Sequence, residues 1–457
     1  MKARPVWAVT VEGFTTRLGF GMVTFALPLY ALQLGMSLVE IGLLIGAKAF
    51  IEPAVKPLMG AAVDRWGARR GYLTAVTIRL AASILLLGAS TPALLYGVRL
   101  IQGAASAARD PASMNVVAAS TTRRLGTTFS LTIGAKDLGN VAAGATGGAV
   151  LAVTGGNFTV LWTIVAVLAV LPVVVVWLWV PADSPVSSTA AQPVHETVEA
   201  EPPQPPARGV LRDRRLRLLC VLGLLTGMTA HMTHGMFQVL AAEVAGLSVA
   251  QIGLIYSFSF VVLLVVGPLA GWSADRFGTD ALAGARGVAN AVSSLTYLVF
   301  PSFGGILGGR IVDDAGKAAF RPTWGTMLAQ AARRSGPRRG RVVATLDTAL
   351  SFGEALGPLL AALLWDLWGL ATFLLVRAAL GIATELLVTR RLRSQKRGRR
   401  RTARIATPVL AIAATAGLAV AILLWAKSSP PDLGDPLILP PPNSPLTVNI
   451  EVTPPQK

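Results

Sequence analysis

Long apolar stretches interrupted at near-regular intervals by short polar ones run through most of the chain. Crossing a bilayer as a helix takes roughly 20 mostly apolar residues. Such stretches fall near 6–32, 39–60, 72–90, 92–113, 125–152 and 157–180, and again near 215–241, 249–272, 281–301, 303–324, 341–365 and 370–389. A last one, 405–426, holds no charged residue. The stretches are too long, and alternate too little, for the strands of a membrane barrel. A lipid-embedded backbone must then close its hydrogen bonds within helices. The pattern predicts an all-α integral membrane protein of thirteen spanning helices. Its segments are a six-helix bundle over 1–180, a cytoplasmic linker over 181–210, a second six-helix bundle over 211–390, a basic segment over 391–404, the extra C-terminal helix over 405–426 and a Pro-rich tail over 427–457. The linker and tail are too polar and Pro-rich to bury a core.

Composition agrees: 53% of the 457 residues are hydrophobic and 14% charged. The formal net charge of +18 would suggest nucleic acid in a water-soluble chain. Here the basic residues sit between apolar runs, where membrane orientation and anionic headgroups account for them, so no nucleic-acid partner is expected. Lys2 and Arg4 precede the first span, and alternate connections hold Arg65, Arg69 and Arg70; Arg109, Arg123 and Arg124; Arg208 to Arg217; Arg276 and Arg286; and Arg333 to Arg341. The short connections between them hold no lysine or arginine. This asymmetry predicts a multi-pass plasma-membrane protein with a cytoplasmic N-terminus and, after an odd thirteenth span, an external tail. The first span contains Glu12 and Arg17, which argues for a retained helix rather than a cleaved signal. Cys220 is the single cysteine, so neither an internal disulfide nor a multi-cysteine metal site is expected.

The chain also repeats itself. An offset of 211 residues aligns 35–67 with 246–278 without a gap and with twelve identical pairs. At the same offset Arg99 meets Arg310 and Pro111 meets Pro322. A register kept through charged residues and prolines implies two pseudo-symmetric six-helix halves, an arrangement in which the substrate site lies between the halves.

The connection after the second span reads Gly60-Ala-Ala-Val-Asp64-Arg65-Trp-Gly67-Ala-Arg69-Arg70, and its repeat is Gly271, Asp275, Arg276 and Gly278 without the closing basic pair. It resembles the signature loop of the major facilitator superfamily, G-x-x-x-D-R-x-G-x-(R/K)-(R/K). Arg99-Leu-Ile-Gln102-Gly103 is similar to the family's R-x-x-Q-G pattern. Gly139, Gly144, Gly147 and Gly148 of the fifth span resemble the antiporter-associated glycine motif, with Ala143-Gly144 replacing its Gly-Pro. Gly353, Gly357 and Pro358 form a partial complement in the eleventh span. Close packing of helices by small residues explains these glycines equally well. The resemblance implies a transporter, not an enzyme, in which the signature loop latches the cytoplasmic sides together in the outward-open state. It makes the helix starting near Gly340 and Arg341 the candidate partner for Asp64.

The spans hold many ionisable groups, which membranes tolerate where they pair or line water. Lys48, Glu52 and Lys56 share a helical face and can pair with one another. The resemblance places the first, second, fourth, fifth, seventh, eighth, tenth and eleventh helices around the cavity. That selects Arg17, Glu52, Arg99, Lys136, Asp137, His231, His234, Asp313, Asp314 and Glu354 as cavity or proton-coupling candidates, with Arg79 and Arg377 structural. Adjacent Asp313 and Asp314 seldom ionise together in low dielectric, which suggests a proton carrier. The first half supplies most of the buried cations and the second most of the carboxylates. His231 and His234 are one helical turn apart but lack the rest of a metal ligand set. The expected function is secondary active transport of a small molecule by alternating access, proton-coupled and outward. Uptake, lipid flipping and a non-transporting scaffold are the alternatives. The expected partners are the solute and membrane lipids, the expected state is a monomer, and no cofactor beyond a proton gradient is required.

Overall fold

The computed structural model describes residues 4–120, 125–181, 213–277, 285–335 and 339–396. Within them the chain forms α1 (Arg4–Gln33), α2 (Leu38–Trp66), α3 (Ala68–Leu87), α4 (Pro92–Ser120), α5 (Leu125–Val153), α6 (Phe158–Trp179), α7 (Arg214–Glu243), α8 (Val249–Phe277), α9 (Ala285–Val299), α10 (Phe303–Arg334) and α11 (Arg339–Lys396). Gly369, at φ 83°, breaks α11 into two helical stretches that correspond to the eleventh and twelfth expected spans. The linker, the span expected at 405–426 and the tail lie outside the described residues.

Five of the described helices are long and apolar enough to cross a membrane on hydropathy alone: α3, α6, α7, α8 and α11. This is fewer than the apolar runs suggested. The difference has a physical cause: α9 is only 15 residues long, and α1, α2, α4, α5 and α10 carry ionisable residues that lower their hydropathy, several of them paired inside the bundle.

The internal repeat is visible in local geometry. Gly35 and Gly246 both take positive φ, at 75° and 60°, a backbone region that favours glycine. Each is followed by a capping box. The Ser37 amide donates to Glu40 Oε2 at 2.8 Å and the Glu40 amide to Ser37 Oγ at 3.3 Å. The Ser248 amide donates to Gln251 Oε1 at 3.0 Å and the Gln251 amide to Ser248 Oγ at 3.3 Å. Reciprocal caps satisfy amides that a helix start would leave without partners, so both copies turn into their second helix the same way.

The close contacts between the halves cluster at the ends remote from the basic connections. α5 meets α8 there: a Cβ on Gly144 would stand 2.6 Å from the Gly253 carbonyl oxygen, so only glycine permits this approach. The Ala145 amide donates to Ser257 Oγ at 2.7 Å in the same seam. α2 meets α11 where Gly42 lies against the Pro358 carbonyl and Gly46 against that of Ala355. α1 meets α7 through Gln238 Nε2, which donates to the Thr24 carbonyl at 3.4 Å. The Phe25–Tyr256 ring pair, with centroids 5.8 Å apart, closes the same end.

Candidate functional site

The half-buried ionisable groups between the halves form the candidate transport cavity. Arg17 on α1, Glu52 on α2, Lys136 and Asp137 on α5 and Glu354 on α11 all sit at intermediate burial. Lys48 and Glu52 pair at 2.8 Å, as their spacing predicts. Asp137 lies within electrostatic range of Arg321 on α10, across the gap between the halves. Glu354 makes no hydrogen bond or ion pair among the described residues, and Glu52, Asp347, Lys48 and Arg321 surround it within electrostatic range. A carboxylate held between partners of both signs, without a fixed one, can gain or lose a proton as its neighbours move.

Arg99 is buried, with Nε donating to the Leu44 carbonyl at 3.4 Å and Nη1 to Gln102 Oε1 at 3.2 Å. No carboxylate pairs with it among the described residues. Its repeat partner Arg310 differs: it pairs with Asp314 at 2.9 Å and donates through Nη2 to His234 Nδ1 at 3.1 Å. A guanidinium only donates, so His234 accepts at Nδ1 and its proton resides on Nε2. His231 lies beside it, ring centroids 5.5 Å apart, with Nδ1 3.2 Å from the Gly227 carbonyl.

Asp313 and Asp314 sit in a dense ionic cluster. Asp313 meets Arg286 at 2.9 Å, Arg377 at 2.5 Å and Lys317 at 2.8 Å. Asp314 meets Arg310 and Lys317, both at 2.9 Å, and accepts from the Ser259 hydroxyl. Four cations therefore surround two carboxylates. The carboxylates that the second half supplies are thus paired with cations of the same half rather than with those of the first. Arg377, on an outer helix, anchors the cluster as a structural residue and also reaches the Thr229 carbonyl, Asn290, Ser293 and Ser294.

Two arginines that hydropathy assigns to cytoplasmic connections are also buried partners. Arg286, 2% exposed, binds Asp313 from the first turn of α9. Arg109, likewise 2% exposed, binds Glu12 through two hydrogen bonds of 2.7 Å, and Tyr72 and Thr16 donate to the same carboxylate. A clue for Arg109 was available: a buried Glu12 needs a cation from another helix, since a lone membrane carboxylate is costly.

The packing glycines divide by role. Gly139 and Gly147 sit against α1, and Gly353 and Gly357 against α7, within their own halves. Gly148 faces Val249 and Gly253 across the halves, as Pro358 faces Gly42. In the signature loop, Gly60 lies in α2, Gly67 at φ 89° permits the turn into α3, and Arg69 Nη2 donates to the Trp177 carbonyl at 2.8 Å. Arg65 and Arg70 are exposed, and Arg276 lies 5.4 Å from the Trp272 ring centroid, one turn after Gly271. The side chains of Asp64, Asp275 and Arg341, together with Gly278, lie outside the described residues, and the latch between Asp64 and Arg341 with them.

Comparison with known proteins agrees with this arrangement. A solved structure of the nucleoside transporter NupG superposes with a TM-score of 0.70 at 16% identity, covering 85% of this chain and 99% of that one. A bacterial homologue of the human lysosomal transporter Spinster, in an inward-facing state, gives 0.61 at 15% identity over 94% of this chain and 99% of its own. At such identities the likeness establishes the fold. The Multidrug resistance protein B homolog of Mycobacterium tuberculosis is 33% identical over 128 residues, or 28% of this chain. The match spans about a quarter of that relative's length, 23%. The family model of the Major Facilitator Superfamily matches residues 11–248 and 219–429, nearly the whole of the chain. A multi-pass helical membrane protein with two pseudo-symmetric halves, this chain belongs to the Major Facilitator Superfamily.

Proposed function

We propose that the protein is a proton-coupled secondary transporter that moves a small amphipathic organic solute outward by alternating access. The observation that carries this reading is the placement of contacts between the halves. They gather at the ends remote from the basic connections and leave Arg17, Glu52, Lys136, Asp137 and Glu354 half-buried between the halves. With the basic connections in the cytoplasm, this is an inward-facing state. Rocking the halves about the midplane would expose the same groups to the other side.

Glu354 is the proton site we favour. Asp313 and Asp314 are each bound by at least two cations within the second half, and a change of charge on either would strand those buried cations. Glu354 has no such clamp and lies in the gap. Solute and proton would then compete for the same charged cavity, which is the physical basis of exchange. The outward direction is favoured by the glycine run of α5 and by the multidrug-resistance relative.

Flux of labelled amphipathic solutes in proteoliposomes with an imposed pH gradient tests this. Gradient-driven flux that becomes gradient-independent in Glu354→Gln, with solute exchange intact, is the expected result. Loss of coupling in Asp314→Asn but not in Glu354→Gln would move the proton site to α10. Flux running with the proton rather than against it would make the protein an uptake carrier.

A further inference from the structure

The point where the first, third, fourth and sixth helices of a half converge occurs twice in this fold, and the two copies differ. In the second half it is filled by the Asp313 cluster, with Arg286 on α9 and Arg377 in the last stretch of α11 as counter-charges. The 211-residue offset places Gln102 where Asp313 stands, and α6 has no charged residue at all. The first half retains one cation there, Arg79 on α3, and no carboxylate makes an ion pair with it among the described residues.

The space is a crevice rather than a filled core. Phe20, Val76, Val165 and Pro172 line its apolar wall, and Arg79, Ser83 and Gln102 its polar end. On α1, a Cβ added to Gly19, another lining residue, would meet nothing within 4 Å. Arg79 donates through Nη2 to Ser106 Oγ at 2.8 Å, while its buried Nε has no hydrogen-bond partner among the described residues. Its guanidinium lies 4.9 Å from the Phe20 ring centroid, and Lys48 Nζ, itself paired with Glu52, lies 5.1 Å from the same ring. Glu12 and Asp110 lie within electrostatic range of Arg79 but neither touches it, and a guanidinium with a buried N–H left without an acceptor is suited to capture of a carboxylate or phosphate.

We propose that this crevice binds the anionic headgroup of an amphiphile, a carboxylate or phosphate carried on a hydrocarbon chain. The ligand would supply from outside the counter-charge that Asp313 supplies from within the chain in the second half. The headgroup meets Arg79 and the hydrocarbon lies along Phe20, Val76, Val165 and Pro172. α3 and α6, which form much of the wall, pack chiefly on helices of their own half. The crevice therefore lies within the first half, and it adjoins the gap through which transport is proposed at the Phe20 ring, which Lys48 also contacts.

The test uses the full chain purified in mild detergent. Native mass spectrometry reads retained phospholipid. The delipidated protein is then photolabelled with a diazirine-bearing hexadecanoic acid and, separately, with the matching hexadecanol. We expect the acid to label the α1 and α6 segments around Gly19 and Val165 roughly tenfold more than the alcohol, the ratio that about 1.4 kcal/mol produces. Arg79→Gln should abolish that preference, and Gly19→Leu, which fills the crevice and keeps the guanidinium, should block both labels. An anionic phospholipid retained by the parent and lost from Arg79→Gln identifies a membrane lipid as the source. Labelling by the acid without retained phospholipid identifies a free amphiphile. Equal labelling by acid and alcohol, or labelling unchanged in Gly19→Leu, overturns the proposal, and the second variant decides the matter if Arg79→Gln fails to fold.

Discussion

The two halves share one architecture and treat buried charge in different ways. The second half gathers Arg286, Arg310, Lys317 and Arg377 around Asp313 and Asp314, so that its core is cross-linked by ions drawn from α9, α10 and α11. The first half confines its strong pair, Glu12 with Arg109, to the region near the basic connections and leaves Arg79 and Arg99 without carboxylates among the described residues. One fold can thus hold its helices together with ions in one copy and leave a polar vacancy in the other. The difference comes down to a few positions, foremost Gln102 against Asp313. Pseudo-symmetry therefore constrains backbone placement far more tightly than it constrains chemistry.

Asp313→Asn should break this comparison most severely. It strips three cations of their shared acceptor in a dry site, and removing one partner of a buried pair costs about 3–5 kcal/mol. Thermal unfolding in detergent should show a large fall in Tm or no folded protein at all. Glu12→Gln should come next, with a loss of about 3 kcal/mol, because Arg109, Tyr72 and Thr16 all converge on that carboxylate. A similar fall in both variants would show that each half relies on one ionic anchor.

Gly148→Leu probes the contact between the halves rather than either half. A Cβ at Gly148 would stand 2.9 Å from the Val249 carbonyl, so the larger side chain should force α5 from α8 and abolish flux. Each half should still keep its own packing, which circular dichroism and the elution profile would report. The smallest and most informative effect is expected of Gln102→Asp, which offers the first half the carboxylate that the second half has. It should raise stability by about 1 kcal/mol through Arg99 and Arg79, seen as a rise of a few degrees in Tm. A fall instead would mean that the polar vacancy already has an occupant whose charge the new carboxylate repels.

Much of the fold was legible from spacing. The offset of 211 residues predicted two halves, and the matched capping boxes and positive-φ glycines at Gly35 and Gly246 are its structural counterpart. The pairing of Lys48 with Glu52 was readable for the same reason, since residues one helical turn apart must meet. Partners contributed by different helices were not readable. Arg286 and Arg109 looked like loop residues because hydropathy averages over a window and cannot show that a single guanidinium points back into a bundle.

Order, spacing and periodicity along the chain were enough to specify helices and their number in each half, because these are local properties repeated many times, and the motif after the second span carried the resemblance to the family. Which arginine neutralises which carboxylate, which end of the molecule is closed and where a crevice remains were settled by packing between helices far apart in sequence. Those outcomes depend on distances of a few ångströms, over which the strength of a charge interaction and the exclusion of water are decided.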